Sequence, residues 1–453
     1  MGEITKNHVF PVEMTSLEFR RIPVLARGDG VFVYDTDGKK YLDAISGIAV
    51  TNIGYGRRAV AGAMAEQAEK FPYCISNLFT NEPTLELARR LSEMTPEGLN
   101  YFQFTSGGSE ANETAFKIAR QFHLINGEPS KRLIISRQQS YHGATLGALA
   151  VTGMEKRREK YAPMLIDLPH IAPAYCYRCP FGKSYPGCDI DCARDLDAAI
   201  LDAGPERVMA FVVEPVVGSA CGATVPPPEY FPLVREICTR YGVLLIVDEV
   251  ITGMGRTGRN FGIDHWDVVP DMMTLAKGLS GGYSPLGAVA VHERVLDVFK
   301  KNDGAFEHIY TFAGNPVSAS AALAVLDILV RENLVSRSAQ MGEYLFRCAE
   351  SLKEHAVVGD IRGLGLLMGI ELVKDRASKE PFAPEMRLSK KLAGVALQKG
   401  LIIYPCSGCA DGFRGDHFLI CPPLIVSQEE CDTIISVLSD AISELEAGLS
   451  SSR

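Results

Sequence analysis

Between about residues 100 and 295, short apolar runs alternate with helical patterns, and this limits the fold more than any other feature of the chain. Tyr101 to Thr105 reads as a strand, Ser-Gly-Gly-Ser follows it, and Glu110 to about His123 reads as a helix. Further strands are expected from Leu133 to Ser136, Met209 to Val213, Val243 to Val247, Met272 to Leu275 and Ala288 to Val291, with a helix from Glu229 to Arg240. Strands alternating with helices build βαβ units, hence a mainly parallel sheet covered on both faces. The expected class is α/β.

The flanks carry a different pattern. Val31 to Leu42 reads as a hairpin around a Gly-containing turn. Beyond about residue 330 come a helical stretch at Ala339 to Ala356, a strand at Leu366 to Leu372, a helix near Leu388 to Lys399 and an amphipathic helix from Gln428 to Leu449. A chain of 453 residues exceeds one simple core. The division expected is a large α/β domain at 61–330 and a smaller α+β domain assembled from 1–60 and 331–453. A ligand site between the two suits the general preference for interdomain clefts.

Composition excludes more than it assigns. A formal net charge of −9 without a basic block argues against a nucleic-acid partner. No apolar run approaches the roughly 18 residues of a membrane-spanning helix. The first residues lack the basic and apolar regions of a signal peptide, so a cytoplasmic location is expected. Of twelve cysteines, eight lie singly in apolar segments, as small buried hydrophobes do. Cys176, Cys179, Cys188 and Cys192 form a cluster with roughly zinc-like spacing; a structural zinc, disulfides and free thiols all remain open for it, and no metal is expected in the reaction.

The chemistry concentrates at strand ends. Asp248-Glu249-Val250 ends one strongly apolar strand, and Thr274-Leu275-Ala276-Lys277-Gly278 ends the next. In open α/β sheets, ligands bind outside the carboxyl ends of the strands. A carboxylate and an amine delivered there suit pyridoxal phosphate: the amine condenses with its aldehyde, and the carboxylate pairs with its protonated pyridine nitrogen. The lysine freed by substrate is placed to act as base. Taken singly, Asp248 reads more readily as a helix N-cap and Lys277 as a surface lysine; the blocks that follow reverse this. Thr105-Ser106-Gly107-Gly108-Ser109-Glu110 joins a strand to a helix, where free N–H groups and the helix dipole make an anion site. Tyr141-His142-Gly143 offers an aromatic face, Val250 could cover the opposite face of a ring, and Glu214-Pro215 adds a carboxylate at the same rim.

These blocks, in order, resemble the class III (ω-type) aminotransferases, which are fold-type I pyridoxal-phosphate enzymes. The resemblance rests on Ser-Gly-Gly-Ser-Glu-Ala-Asn, Tyr-His-Gly, Val-Glu-Pro-Val, Asp-Glu-Val-Ile-Thr-Gly-Met-Gly-Arg-Thr-Gly, Thr-Leu-Ala-Lys-Gly-Leu and Thr-Phe-Ala-Gly-Asn-Pro, over about residues 20 to 440. It implies a seven-stranded-type central sheet and a homodimer, or a tetramer built from it, with active sites at the subunit interface. It implies Gly108 and Ser109 on the cofactor phosphate, with Thr311 reaching it from the partner chain. Tyr141 matches the stacking aromatic, Asp248 the pyridine partner, Val250 the opposite ring face and Lys277 the Schiff-base lysine. Glu214 matches a glutamate that often pairs with a mobile arginine. The reaction implied is ping-pong transfer of an amino group from an amine donor to a keto acid.

One part of the pattern departs. Many members carry a carboxylate-binding arginine three residues before a Pro-Pro pair; here Leu419 stands there, before Pro422-Pro423. Arg414 is the nearest substitute, about two residues later relative to the following Gly-Asp than the switching arginine of other ω-aminotransferases. Arg414 is therefore the expected substrate-binding residue, with pyruvate favoured as acceptor and an ω-amino acid or amine as donor. A racemase, epimerase or decarboxylase on the same scaffold shares Lys277 and Asp248 and is the alternative.

Overall fold

The computed structural model describes residues 22–301 and 305–450. Near the N-terminus, β1 (Leu25–Asp29), β2 (Phe32–Asp35) and β3 (Lys40–Asp43) form an antiparallel meander. Seven strands then make the central sheet: β4 (Tyr101–Thr105), β5 (Leu133–Arg137), β6 (His170–Ile171), β7 (Val208–Val213), β8 (Leu244–Asp248), β9 (Met272–Leu275) and β10 (Gly287–Val291). Their spatial order is β4-β10-β9-β8-β7-β5-β6. β10 runs antiparallel to both neighbours, while the β9-β8-β7-β5-β6 pairs are parallel. The mainly parallel α/β sheet expected from the alternation is present.

Both faces of this sheet are buried by period-2 alternation of side chains. Phe211, Val213, Leu245 and Val247 enter one core cluster, and Ala210, Val212, Leu244 and Ile246 enter another on the opposite face. The helix Gly108–Ile125 covers the second face through Ala111, Ala115, Ile118 and Ala119. The helix Tyr230–Tyr241 covers the first through Phe231, Val234 and Ile237.

A separate core joins the two ends of the chain. Val31, Leu42 and Val60 pack with Leu345, Leu392, Phe418 and Leu438. The C-terminal part contributes β11 (Val358–Leu364), β12 (Leu367–Leu372), β13 (Leu401–Ile402), β14 (Tyr404–Ser407) and β15 (Asp416–Ile420). β11-β12-β15-β14 form a third sheet, and β13 pairs parallel with β3 across more than 350 residues of sequence. Sequence reading finds β12 but not β11, β14 or β15, which carry glycine, proline or charge among their apolar residues. The last helix, Gln428–Ser450, lies where the amphipathic pattern places it.

Two buried polar clusters tie these parts together. Arg256, fully buried, donates to Leu366 O at 3.0 Å, Ser46 Oγ at 2.9 Å and Asn52 Oδ1 at 2.6 Å, and also to Pro422 O. Glu371 on β12 accepts from Arg178 Nε at 2.6 Å, Arg362 Nη1 at 3.1 Å and the Tyr175 hydroxyl. Arg178 belongs to the cysteine-rich loop. All twelve cysteines are free thiols, and Cys176, Cys179, Cys188 and Cys192 line one cavity of about 20 Å³. Among the described residues no three His, Cys, Asp or Glu side chains form a metal-holding group, and no helix is long and apolar enough to cross a membrane.

Removing the Arg256 fork leaves buried acceptors from three segments without a donor, each such group costing about 1–3 kcal/mol. Arg256→Ala is therefore expected to lower the thermal unfolding midpoint by several degrees, with Arg256→Lys recovering only part of the loss. A midpoint unchanged from wild type in calorimetry would contradict this.

Candidate active site

Because β4, β5, β7, β8 and β9 run the same way, their carboxyl ends share one edge of the sheet, and a cavity of about 460 Å³ opens there. That volume falls within the range of small-molecule sites. Every strand end contributes: Ser106 to Ser109 after β4, Tyr141 to Gly143 after β5, Glu214 after β7, Asp248 and Val250 after β8, and Ala276 and Lys277 after β9.

Asp248 is 4% exposed and its carboxylate is well supplied with donors. Oδ2 accepts from His142 Nδ1 at 2.8 Å and Asn112 Nδ2 at 2.9 Å, and Oδ1 accepts from Val250 N at 3.1 Å. Because a carboxylate only accepts, His142 must carry its proton on Nδ1. Asn112 also donates to His142 O at 2.7 Å and accepts from Thr274 Oγ1 at 3.1 Å, locking three strand ends together. The neighbouring Glu249 does not line the cavity. It accepts from Gly262 N and Ile263 N, both at 2.8 Å, and burial pushes its carboxyl up to about 7.

Lys277 sits at φ +46°, a left-handed backbone that costs a non-glycine residue roughly 1–3 kcal/mol and is typical of functional positions. Burial lowers its amine below the ordinary lysine value, against the opposing pull of Cys421, Asp248 and Glu214. Among the described residues its Nζ has no hydrogen-bond or ion-pair partner. Glu214 is buried; its Oε1 accepts from Tyr141 N at 3.0 Å and Oε2 from Gly218 N at 2.9 Å, while burial pushes its carboxyl up.

The helix Gly108–Ile125 points its N-terminus into the cavity, and the first N–H groups of a helix have no intrahelical acceptor. At Gly108 a Cβ would stand 2.9 Å from Val250 Cγ2, so glycine is needed for this approach. Ser109 Oγ accepts from Ala144 N at 3.1 Å, leaving its own hydrogen to donate. Such an edge, with anion-binding amides at one side, a supported carboxylate at the floor, an unpartnered amine and a flat aromatic wall, has the donor set and the room for pyridoxal phosphate.

Two of the sequence-predicted residues lie outside the cavity lining. Thr311 is exposed and does not reach the cavity of its own chain. Arg414 stands on an exposed loop, its Nε donating to Asp411 Oδ2 at 2.6 Å. Leu419, at the place of the family's arginine, is 2% exposed on β15. Asn112 and His142 were not singled out from the sequence. Their only signal was membership of the Ser-Gly-Gly-Ser-Glu-Ala-Asn and Tyr-His-Gly blocks.

The family model for class III aminotransferases matches residues 18–442. An uncharacterized aminotransferase of Schizosaccharomyces pombe is 40% identical, covering 95% of this chain and 94% of its own. The taurine–pyruvate aminotransferase of Bilophila wadsworthia is 37% identical, covering 93% and 92%. The crystal structure of a thermostable (S)-enantioselective ω-transaminase from Thermomicrobium roseum superposes with a TM-score of 0.91 at 40% identity over 96% of each chain. The chain belongs to the class III aminotransferases and is a pyridoxal-phosphate-dependent transaminase of the fold-type I architecture.

Proposed function

We propose that the protein transfers an amino group from an ω-amino acid or amine to a keto acid, with pyruvate the favoured acceptor, by a ping-pong mechanism. The observation that carries the reading is the Asp248–Lys277 pair at adjacent strand ends in one cavity, on a chain whose similar relatives include a taurine–pyruvate aminotransferase.

The residues divide the work as follows. Gly108 and Ser109 hold the cofactor phosphate with backbone N–H groups and a hydroxyl. Tyr141 and Val250 cover the two faces of its ring. Asp248, oriented by its hydrogen bonds from His142 and Asn112, would hold the pyridine nitrogen. Lys277 would hold the cofactor's aldehyde carbon, and its amine is placed to move the proton at the substrate carbon that bears the amino group. Pyridoxal phosphate supplies the electron-accepting ring and carries the amino group between the two substrates. Glu214, with both oxygens committed to backbone donors, fixes the Tyr141 backbone at the edge of the cavity. In a homodimer, Thr311 of each chain would face the site of the other. Arg414 could serve a substrate carboxylate only by exchanging it for Asp411.

An amine donor supplied without acceptor should convert the bound cofactor to its amine form, and pyruvate should then restore it. Lys277→Ala should lose turnover by several orders of magnitude while still binding the cofactor non-covalently. If the cofactor spectrum stays unchanged with every amine tested, the transaminase reading of substrates is wrong.

Lys277 must be neutral to react, and its lowered pKa places that state at lower pH than for a solvent lysine. The pH midpoint for reconstituting apoprotein should lie below the ordinary lysine value of 10.5. Asp248 opposes this lowering, so Asp248→Asn should move the midpoint further down. A midpoint that stays put, or rises, would remove Asp248 from the electrostatic environment of Lys277.

A further inference from the structure

Tyr141 can act as a flat wall of the cavity only if the turn that carries it is held still. Two residues before it, Gln139 takes φ +53°, a left-handed backbone that is uncommon outside glycine and asparagine. The kink falls between the end of β5 at Arg137 and Tyr141, so it sets the direction in which the chain enters the cavity edge. Gln139 N donates to Gly153 O at 2.9 Å and Tyr141 N to Glu214 Oε1 at 3.0 Å, which fixes the backbone on both sides of Ser140.

The Gln139 side chain reaches further. It is 7% exposed, and both ends of its amide are engaged. Nε2 donates to Gly408 O at 3.3 Å and Cys409 O at 2.9 Å, while Oε1 accepts from Cys221 Sγ at 3.7 Å. Both carbonyls lie at the root of the 408–415 loop between β14 and β15. That loop closes on itself through Gly408 N to Gly415 O and Gly412 N to Gly408 O, both at 2.8 Å, and carries Arg414 near its tip. Cys409 and Cys221 also pack with Tyr141 in one small apolar cluster. A buried carbonyl left without its donor is costly, so the amide holds the loop root and the Tyr141 turn in a common position.

We propose that Gln139 is a positioning residue that locks the tilt of the Tyr141 ring to the 408–415 loop, so that filling the cofactor site and closing that loop are coupled. The proposal rests on the assignment of Tyr141 to a cofactor face above. It gives the C-terminal loop a route to the ring wall that does not require Arg414 to enter the cavity.

The test uses the full-length protein, with and without pyridoxal phosphate, as wild type, Gln139→Met, Gln139→Asn, Lys156→Ala and Tyr141→Ala. Three quantities are read: the rate of trypsin cleavage after the exposed Arg414, resolved by mass spectrometry; the visible circular dichroism of the bound cofactor; and the thermal midpoint of the apoprotein. Cofactor should slow cleavage of wild type on the order of fivefold or more, because a ligand that favours the closed state lowers the open population. Gln139→Met keeps the side-chain length but has no amide. It should be cut faster in both forms, with cofactor protection reduced to less than about twofold and the dichroism changed by about half. Gln139→Asn tolerates the left-handed backbone with a shorter amide and should fall between the two, which keeps the test open if Gln139→Met does not fold. Lys156→Ala, which removes only the exposed bond to Ser407 at 3.2 Å, should keep wild-type protection.

A purely structural role would lower the thermal midpoint and speed cleavage while leaving the ratio of rates with and without cofactor at the wild-type value; that result overturns the proposal. So would the absence of cofactor protection in wild type, or a loss of protection in Lys156→Ala equal to that in Gln139→Met. Unchanged dichroism and cofactor affinity in Tyr141→Ala would instead overturn the assignment of Tyr141 itself, separately from the cleavage ratio that decides the role of Gln139.

Discussion

A carboxylate taken out of water is tolerated only when donors surround it, and everything at this site is built around one that is. Asp248 receives hydrogen bonds from His142, Asn112 and the Val250 backbone, each delivered by a different part of the chain. Asn112 comes from the helix after β4, His142 from the loop after β5, and Val250 from the turn after Asp248 itself. The same bonds that stabilise the charge also fix the relative positions of those segments. Thr274, on the strand that leads to Lys277, joins through Asn112. Asp248 is thus both the charged floor of the cavity and the knot that sets its shape.

Much of this was legible in the sequence because parallel βαβ topology sends strand ends to one edge. Asp248, Lys277, Glu214 and the Ser106–Ser109 turn each directly follow an apolar run, and Tyr141 comes a few residues after one, so their meeting needed no knowledge of side-chain geometry. Asn112 and His142 were harder, because their roles depend on which way a buried amide and an imidazole point. Nothing local in the sequence encodes that. Arg414 shows a different limit of sequence reading. Its charge and neighbourhood suit a substrate-binding residue, yet the acid three residues before it takes the guanidinium at short range. Among the elements, β11, β14 and β15 escape sequence reading because their pairing partners, rather than their own periodicity, make them strands.

The parts outside the central sheet position the site more than they line it. Arg256, in the segment that follows Asp248, donates to carbonyls and side chains from the N-terminal and C-terminal regions. Glu371 draws Arg178 and Arg362 into a buried ion network that pins the cysteine-rich loop to β12. Burying such charges singly would be costly, but paired and hydrogen-bonded they hold a defined arrangement.

The most direct test of the central claim is where the cofactor becomes attached. Borohydride reduction of the loaded protein makes a lysine–cofactor link permanent, and proteolysis with mass spectrometry then locates it. A single phosphopyridoxyl adduct on the peptide containing Lys277 is the predicted result. An adduct on another lysine, or none in protein that retains the cofactor spectrum, would contradict it.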